Sequence, residues 1–122
     1  MDRPGRALVC RLRSPGKIEH VKHIKTAGLQ TFFRVVGSTR RSQAATMVLR
    51  PGDSTAGEDN RHEKSDQWLY VVSGEGQALV KGRKVSLHTG SLLLIEAGEM
   101  HEIKNSGAQP LVTINVYAPP AY

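Results

Sequence analysis

The chain has a single cysteine, Cys10, in 122 residues. No intrachain disulfide can form, and a reducing, cytoplasmic compartment is the expected setting. Aromatic residues are few, with one Trp, three Tyr and two Phe, too sparse for the stacking platforms that grip single-stranded nucleic acid. No apolar run approaches the roughly 20 residues of a membrane helix. The one apolar stretch near the start, residues 7–10, is shorter than a signal-peptide core and meets Arg11 and Arg13 at once. A Gly-x-Ser-x-Gly elbow, a P-loop and a dinucleotide glycine fingerprint are all missing, which removes the usual signatures of nucleophilic and nucleotide chemistry. The length allows one core, not two.

Acidic residues are the minority, eleven against seventeen Lys and Arg. The imbalance is local: residues 1–25 hold seven basic and two acidic side chains, which accounts for five of the six net positive charges. A nearly neutral body with a basic leader argues against a nucleic-acid partner. Pro4, Gly5, Pro15 and Gly16 mark residues 1–17 as an irregular, flexible leader, with residues 18–122 as the domain. Ile18, Val21 and Ile24 stand at helical spacing in a segment too short to decide, and His20 and His23 are expected at the surface.

From Thr31 onward short apolar runs alternate with Gly, Pro, Ser and charged turns. Strands are predicted at 31–36, 43–50, 67–73, 76–80, 84–87, 91–95, 101–105 and 111–117. Gly74-Glu75-Gly76 and Lys81-Gly82 supply residues that tolerate the positive φ of tight hairpins. With no long helix, an all-β sandwich or barrel follows, and closing it would remove exposed edges.

Strand alternation assigns faces. Gln67, Leu69 and Val71 point one way and Trp68, Tyr70 and Val72 the other, an apolar outer set that calls for a second layer or a partner. His101, Ile103 and Asn105 share a face opposite Glu102 and Lys104. Tyr117 and Asn115 share a phase that can reach a cavity, as can the opposite set of Val112, Ile114 and Val116. Gln43 and Arg50 lie on opposite phases and read as packing or surface residues, Met47 and Leu49 as core, and His88 as exposed.

Potential donor side chains gather in two stretches. In the first, Asn60, Arg61 and His62 are followed after four residues by Gln67 and after six more by Gly74. In the second, Gly90 is followed after five residues by Glu96, Ala97 and Gly98, then after two by His101 and after three by Asn105. These intervals resemble the two motifs of the cupins, G-x5-H-x-H-x3,4-E-x6-G and G-x5-P-x-G-x2-H-x3-N. The resemblance covers about residues 43–117, with motif 1 at about 52–76 and motif 2 at about 90–105.

The resemblance implies an all-β double-stranded β-helix, a jelly-roll barrel. Carried over residue by residue, it implies one divalent ion (Fe, Mn, Ni or Zn) held by Asn60, His62, Gln67 and His101. Asn60 replaces a histidine, Gln67 a glutamate and Glu96 a proline, while the leading glycine of motif 1 falls on Ser54. An amide in place of a carboxylate removes a formal charge and lowers metal affinity. Glu58 shares a phase with Asn60 and His62 in an extended segment and is the reserve ligand; Asp66 faces away from Gln67 unless a bulge turns it. Gly90 and Gly98 read as turn residues, and Asn105 as a partner for backbone groups.

The chemistry implied is of dioxygenase, isomerase or decarboxylase type on a small oxygen-rich molecule. The alternative is a non-catalytic small-molecule-binding cupin in which Asn60 and Gln67 only hydrogen-bond the histidines. The outer apolar set, with the two-fold dimers common among cupins, implies a homodimer.

Overall fold

The computed structural model describes residues 21–55 and 62–122. Eight strands follow in order: β1 (Phe33–Ser38), β2 (Gln43–Leu49), β3 (Asp66–Ser73), β4 (Gly76–Val80), β5 (Arg83–Leu87), β6 (Leu92–Ile95), β7 (His101–Lys104) and β8 (Leu111–Ala118). Among the described residues no helix is long and apolar enough to cross a membrane. Residues 21–25, the described part of the segment with helical spacing, have no regular structure, and His23 is exposed. The leader 1–17, with Cys10 and also His20, lies outside the described residues.

All pairing is antiparallel. Five strands form one sheet in the order β1-β2-β8-β3-β6, and three form a second in the order β5-β4-β7. Apolar side chains of the two sheets meet in one core: Met47, Leu49, Leu69, Val71, Ile95 and Leu111 from the larger, and Ala78, Leu87 and Ile103 from the smaller. Among the described residues the sheets are joined by this packing, not by a continuous ring of hydrogen bonds, so the expected double-stranded β-helix is present as two sheets and not as a closed barrel. One edge is nonetheless covered. Residues 52–55 run antiparallel beside β7, with Gly52 N donating to Asn105 O (3.1 Å), Asn105 N to Asp53 O (3.0 Å) and Thr55 N to Ile103 O (2.9 Å).

Local chemistry explains the corners. Gly74 has φ 96° where the chain passes from β3 towards β4, and a Cβ there would run into the backbone of Pro110 and Leu111. Only glycine combines that dihedral with that approach. Lys81 (φ 52°) and Gly82 (φ 80°) make the β4–β5 hairpin turn, as mirror-image two-residue turns require. Asn105, almost fully buried, bridges three backbone groups: its Nδ2 donates to Leu49 O (2.9 Å) and Gln109 O (2.8 Å), and its Oδ1 accepts from Gly107 N (2.8 Å).

The faces fall as alternation requires. Gln67, Leu69 and Val71 are buried, whereas Trp68, Tyr70 and Val72 are 43%, 44% and 40% exposed. Residues 26–30 border a groove with the outer side chains of β2 and β8, among them Val48, Val112 and Ile114, but they leave Trp68 and Tyr70 uncovered.

Candidate functional site

Strand register builds the floor of the site. Gln43 pairs with Tyr117, Tyr117 with Gln67 and Gln67 with Ile95, so four inward side chains form one row across the larger sheet. His62 comes just ahead of β3, and its carbonyl accepts from Gly98 N at 2.7 Å. Asp66 Oδ1 accepts from Ala97 N at 3.0 Å. Both bonds tie the first donor-bearing stretch to the second. Asp66 is exposed and occupied with the 96–99 turn, on the side away from Gln67. The same turn is closed by Glu99 N donating to Glu96 O (3.0 Å) and Glu96 N to Glu99 Oε1 (2.9 Å).

Three of the expected site residues, His62, Gln67 and His101, line one cavity of about 270 Å³. Asn60 and Glu58 lie outside the described residues. The two imidazole rings are 5.4 Å apart between centres, tilted by 42°. His101 Nδ1 lies 3.2 Å from the carbonyl of Glu99. A carbonyl can only accept, so Nδ1 carries the proton and Nε2 keeps its lone pair. Burial lowers the pKa of His101, opposed by the Glu99 carbonyl and then by the Glu99 charge. Burial also lowers that of His62, helped by His101; the Gln67 amide opposes it, although no hydrogen bond of normal geometry joins Gln67 Oε1 to a partner. Both rings are therefore biased towards the neutral, electron-pair-donating form.

Beneath them a polar chain runs through the core. Gln67 Nε2 donates to Asn115 Oδ1 (2.8 Å), Asn115 Nδ2 to Thr113 Oγ1 (3.0 Å) and Thr113 Oγ1 to Met47 O (2.9 Å). Every donor points the same way, which fixes the Gln67 amide: its nitrogen faces Asn115, and Oε1 is left buried with no partner. An orphaned buried acceptor costs about 1–3 kcal/mol, a cost that a hydrogen-bond donor or a cation beside it would remove.

The residues present fit a metal ion in part. Two imidazoles sharing an ion at ligand distances of about 2.0–2.1 Å have ring centres roughly 4.5–5 Å apart, close to the spacing found. His62, His101 and Gln67 Oε1 would be the residues to hold such an ion, as an N,N,O donor set. No group of three His, Cys, Asp or Glu side chains that could hold a metal occurs among the described residues, so a third donor from these residues would be the amide, without a formal charge.

The remaining lining was only partly foreseen. Tyr117, on one of the two phases the sequence left open, is buried in the wall, and burial, reinforced by the neighbouring Tyr122, pushes its hydroxyl pKa well up. Tyr122, Phe33, Ser54 and Thr55 also line the cavity, and nothing in their local sequence announces it. Tyr122 is brought there by Gln43, whose Oε1 accepts from Ala121 N (3.0 Å) and Tyr122 N (2.8 Å) while Nε2 donates to Tyr122 O (2.7 Å). The Tyr122 ring then lies 4.8 Å from Phe33, 5.3 Å from Tyr117 and 5.4 Å from His62.

Comparison with known proteins agrees with this architecture. A crystal structure from Bacillus halodurans superposes with a TM-score of 0.75 at 27% identity, covering 88% of this chain and 86% of that one. The tetracenomycin polyketide synthase protein TcmJ of Streptomyces glaucescens is 34% identical over 62 residues, 51% of this chain and 40% of that protein. The oxalate-binding protein of Thermotoga maritima is 33% identical over 63 residues, 52% of this chain and 50% of that protein. The matched stretches thus span half or less of either relative. The family model for the cupin domain matches residues 45–117, from β2 through β8 and across every described residue of both motifs, and the chain belongs to the cupin family.

Proposed function

We propose that this cupin holds one divalent ion through His62, Gln67 and His101, with Asn60 as a fourth donor and Glu58 in reserve, and binds a small molecule beside it. The observation that carries the reading is the buried, unpartnered Gln67 Oε1 in a cavity shared with two imidazoles that burial keeps neutral. When bound, such an ion supplies Lewis acidity to an oxygen of the ligand. The protein supplies the rest. The Glu99 carbonyl sets the His101 tautomer, Asn115 orients the Gln67 amide, and the Tyr117 hydroxyl stays protonated as a hydrogen-bond donor. Met47, Ile103 and the aromatic side chains give the donors partly apolar surroundings. Dioxygenase, isomerase and decarboxylase chemistry are all compatible with this set. The likeness to an oxalate-binding protein supports a small-molecule ligand in general.

The test is elemental analysis of untagged protein purified without chelator, beside a His62→Ala, His101→Ala double variant. A stoichiometric metal that disappears in the variant is the expected result; metal-free parent protein would sink the reading. The second reading, a binding pocket without metal, is favoured by Gln67 being an amide and already committed to Asn115. It expects ligand binding that chelators leave unchanged.

We also infer a cytoplasmic homodimer. Trp68, Tyr70 and Val72 share an outer face with Leu92, Leu94 and Val116, all at least one-third exposed, and such a face is usually covered. Light scattering at micromolar concentration that returns a monomer mass would remove the dimer.

A further inference from the structure

We infer that the cavity takes an uncharged, planar ring bearing at least one hydroxyl, and that Tyr122, tethered by Gln43, is the residue that selects it. This rests on the reading of the cavity as the ligand site but not on the metal.

Three observations lead here. The first is charge. Among the described residues no Lys or Arg lines the cavity. A phosphate or dicarboxylate brought in without metal would lose its hydration and find no counter-charge, whereas a neutral ring loses little.

The second is shape. At about 270 Å³ the cavity is at the small end of ligand sites, with room for a single ring and not for an extended chain. Phe33, Tyr117, Tyr122, Met47 and Ile103 give it flat and apolar walls. Tyr122 is 62% exposed, although three rings lie within 5.4 Å of its own. An exposed tyrosine is ordinarily free to move. This one follows backbone held by three hydrogen bonds from Gln43, a side chain only 4% exposed. Fixing an aromatic surface before the ligand arrives reduces the ordering cost of binding, and aromatic pairs favour tilted or offset contact with another ring.

The third is the hydrogen-bond deficit. Gln67 Oε1 is buried without a donor, and Asn115 prevents the amide from turning to offer its nitrogen instead. Gln67 lines the cavity beside His62, and a ring hydroxyl that reaches this oxygen by shifting the neighbouring wall would satisfy it in metal-free protein.

The probes are catechol and phenol, with trans-1,2-cyclohexanediol as a non-planar control and oxalate and glucose 6-phosphate as anionic controls. Each is titrated calorimetrically into chelator-treated protein. Both aromatic probes are expected to bind, and the diol and both anions to bind at least about threefold more weakly. Tyr122→Ala should weaken catechol by about three- to tenfold, and Tyr122→Phe should keep it. Gln43→Ala should weaken it similarly, with thermal unfolding checked to confirm a folded protein. Tyr122→Ala serves where Gln43→Ala does not fold.

No aromatic binding at millimolar concentration, anions binding as tightly as catechol, or Tyr122→Ala leaving catechol affinity unchanged would each overturn the inference. Because every titration is metal-free, these outcomes are separate from failure of the metal reading, which elemental analysis decides.

Discussion

Gln67→Glu restores the carboxylate usual at this cupin position, yet the structure predicts that it destabilises the metal-free protein. Gln67 Nε2 is the first donor in a chain that passes through Asn115 and Thr113 to Met47 O. A carboxylate cannot donate to Asn115 Oδ1. If the Asn115 amide turns to donate upward, its oxygen faces Thr113 Oγ1, whose hydrogen is committed to Met47 O. One buried bond is lost in either case, about 1–3 kcal/mol, and the new charge is desolvated as well. Burial raises the folded pKa of the introduced carboxyl above the unfolded value of about 4.3. Below the unfolded value both states are protonated, the carboxyl can donate to Asn115, and the penalty is absent. It grows as pH rises from there towards the folded pKa and is complete above it. Urea unfolding in chelator should therefore show a variant weaker than the parent at pH 7.5 and level with it near pH 4. Added divalent metal should reverse the order: the carboxylate raises affinity by on the order of tenfold or more, and ligand at about 100 times Kd adds about 2.7 kcal/mol. A variant as stable as its parent in chelator at pH 7.5 would refute the polarity assigned to the chain.

Asn105→Ala leaves Leu49 O, Gln109 O and Gly107 N without their side-chain partner. Only the first bond is fully buried, so the expected loss is about 3 kcal/mol, read as a lower urea midpoint with unchanged slope; a loss under about 1 kcal/mol would mean that water substitutes. Acid should weaken the metal-free parent as well. His62 and His101 have folded pKa values below the ordinary 6.5, so as pH falls through that value the unfolded chain binds protons first and stability drops until the folded values are reached. The His62→Ala, His101→Ala variant should show a flatter profile between pH 7.5 and 5.5, and an equally steep one would place the titration elsewhere.

Much of the fold was legible because strands and their faces are local properties. Alternation put Gln67, Leu69 and Val71 inside and Trp68, Tyr70 and Val72 outside, as observed. β4 has the expected bounds, whereas β1 starts two residues late at Phe33. A run of strand-forming residues does not reveal where its partner begins to pair. The choice between a two-sheet sandwich and a closed barrel was left open, since hydrogen-bond closure depends on which edges meet.

The site divides along the same line. The resemblance to the cupin motifs proposed Asn60, His62, Gln67 and His101 as a set, and of these His62, Gln67 and His101 line one cavity. Sequence alone could not say which way the Gln67 amide faces. That depends on Asn115, 48 residues away, and through it on Thr113 and a backbone carbonyl of a third strand. Nor could it place Tyr122 in the wall, since its position is held by Gln43, 79 residues distant. Pattern and period are written residue by residue, but the partner of a buried amide is chosen only when strands far apart in sequence are brought into register.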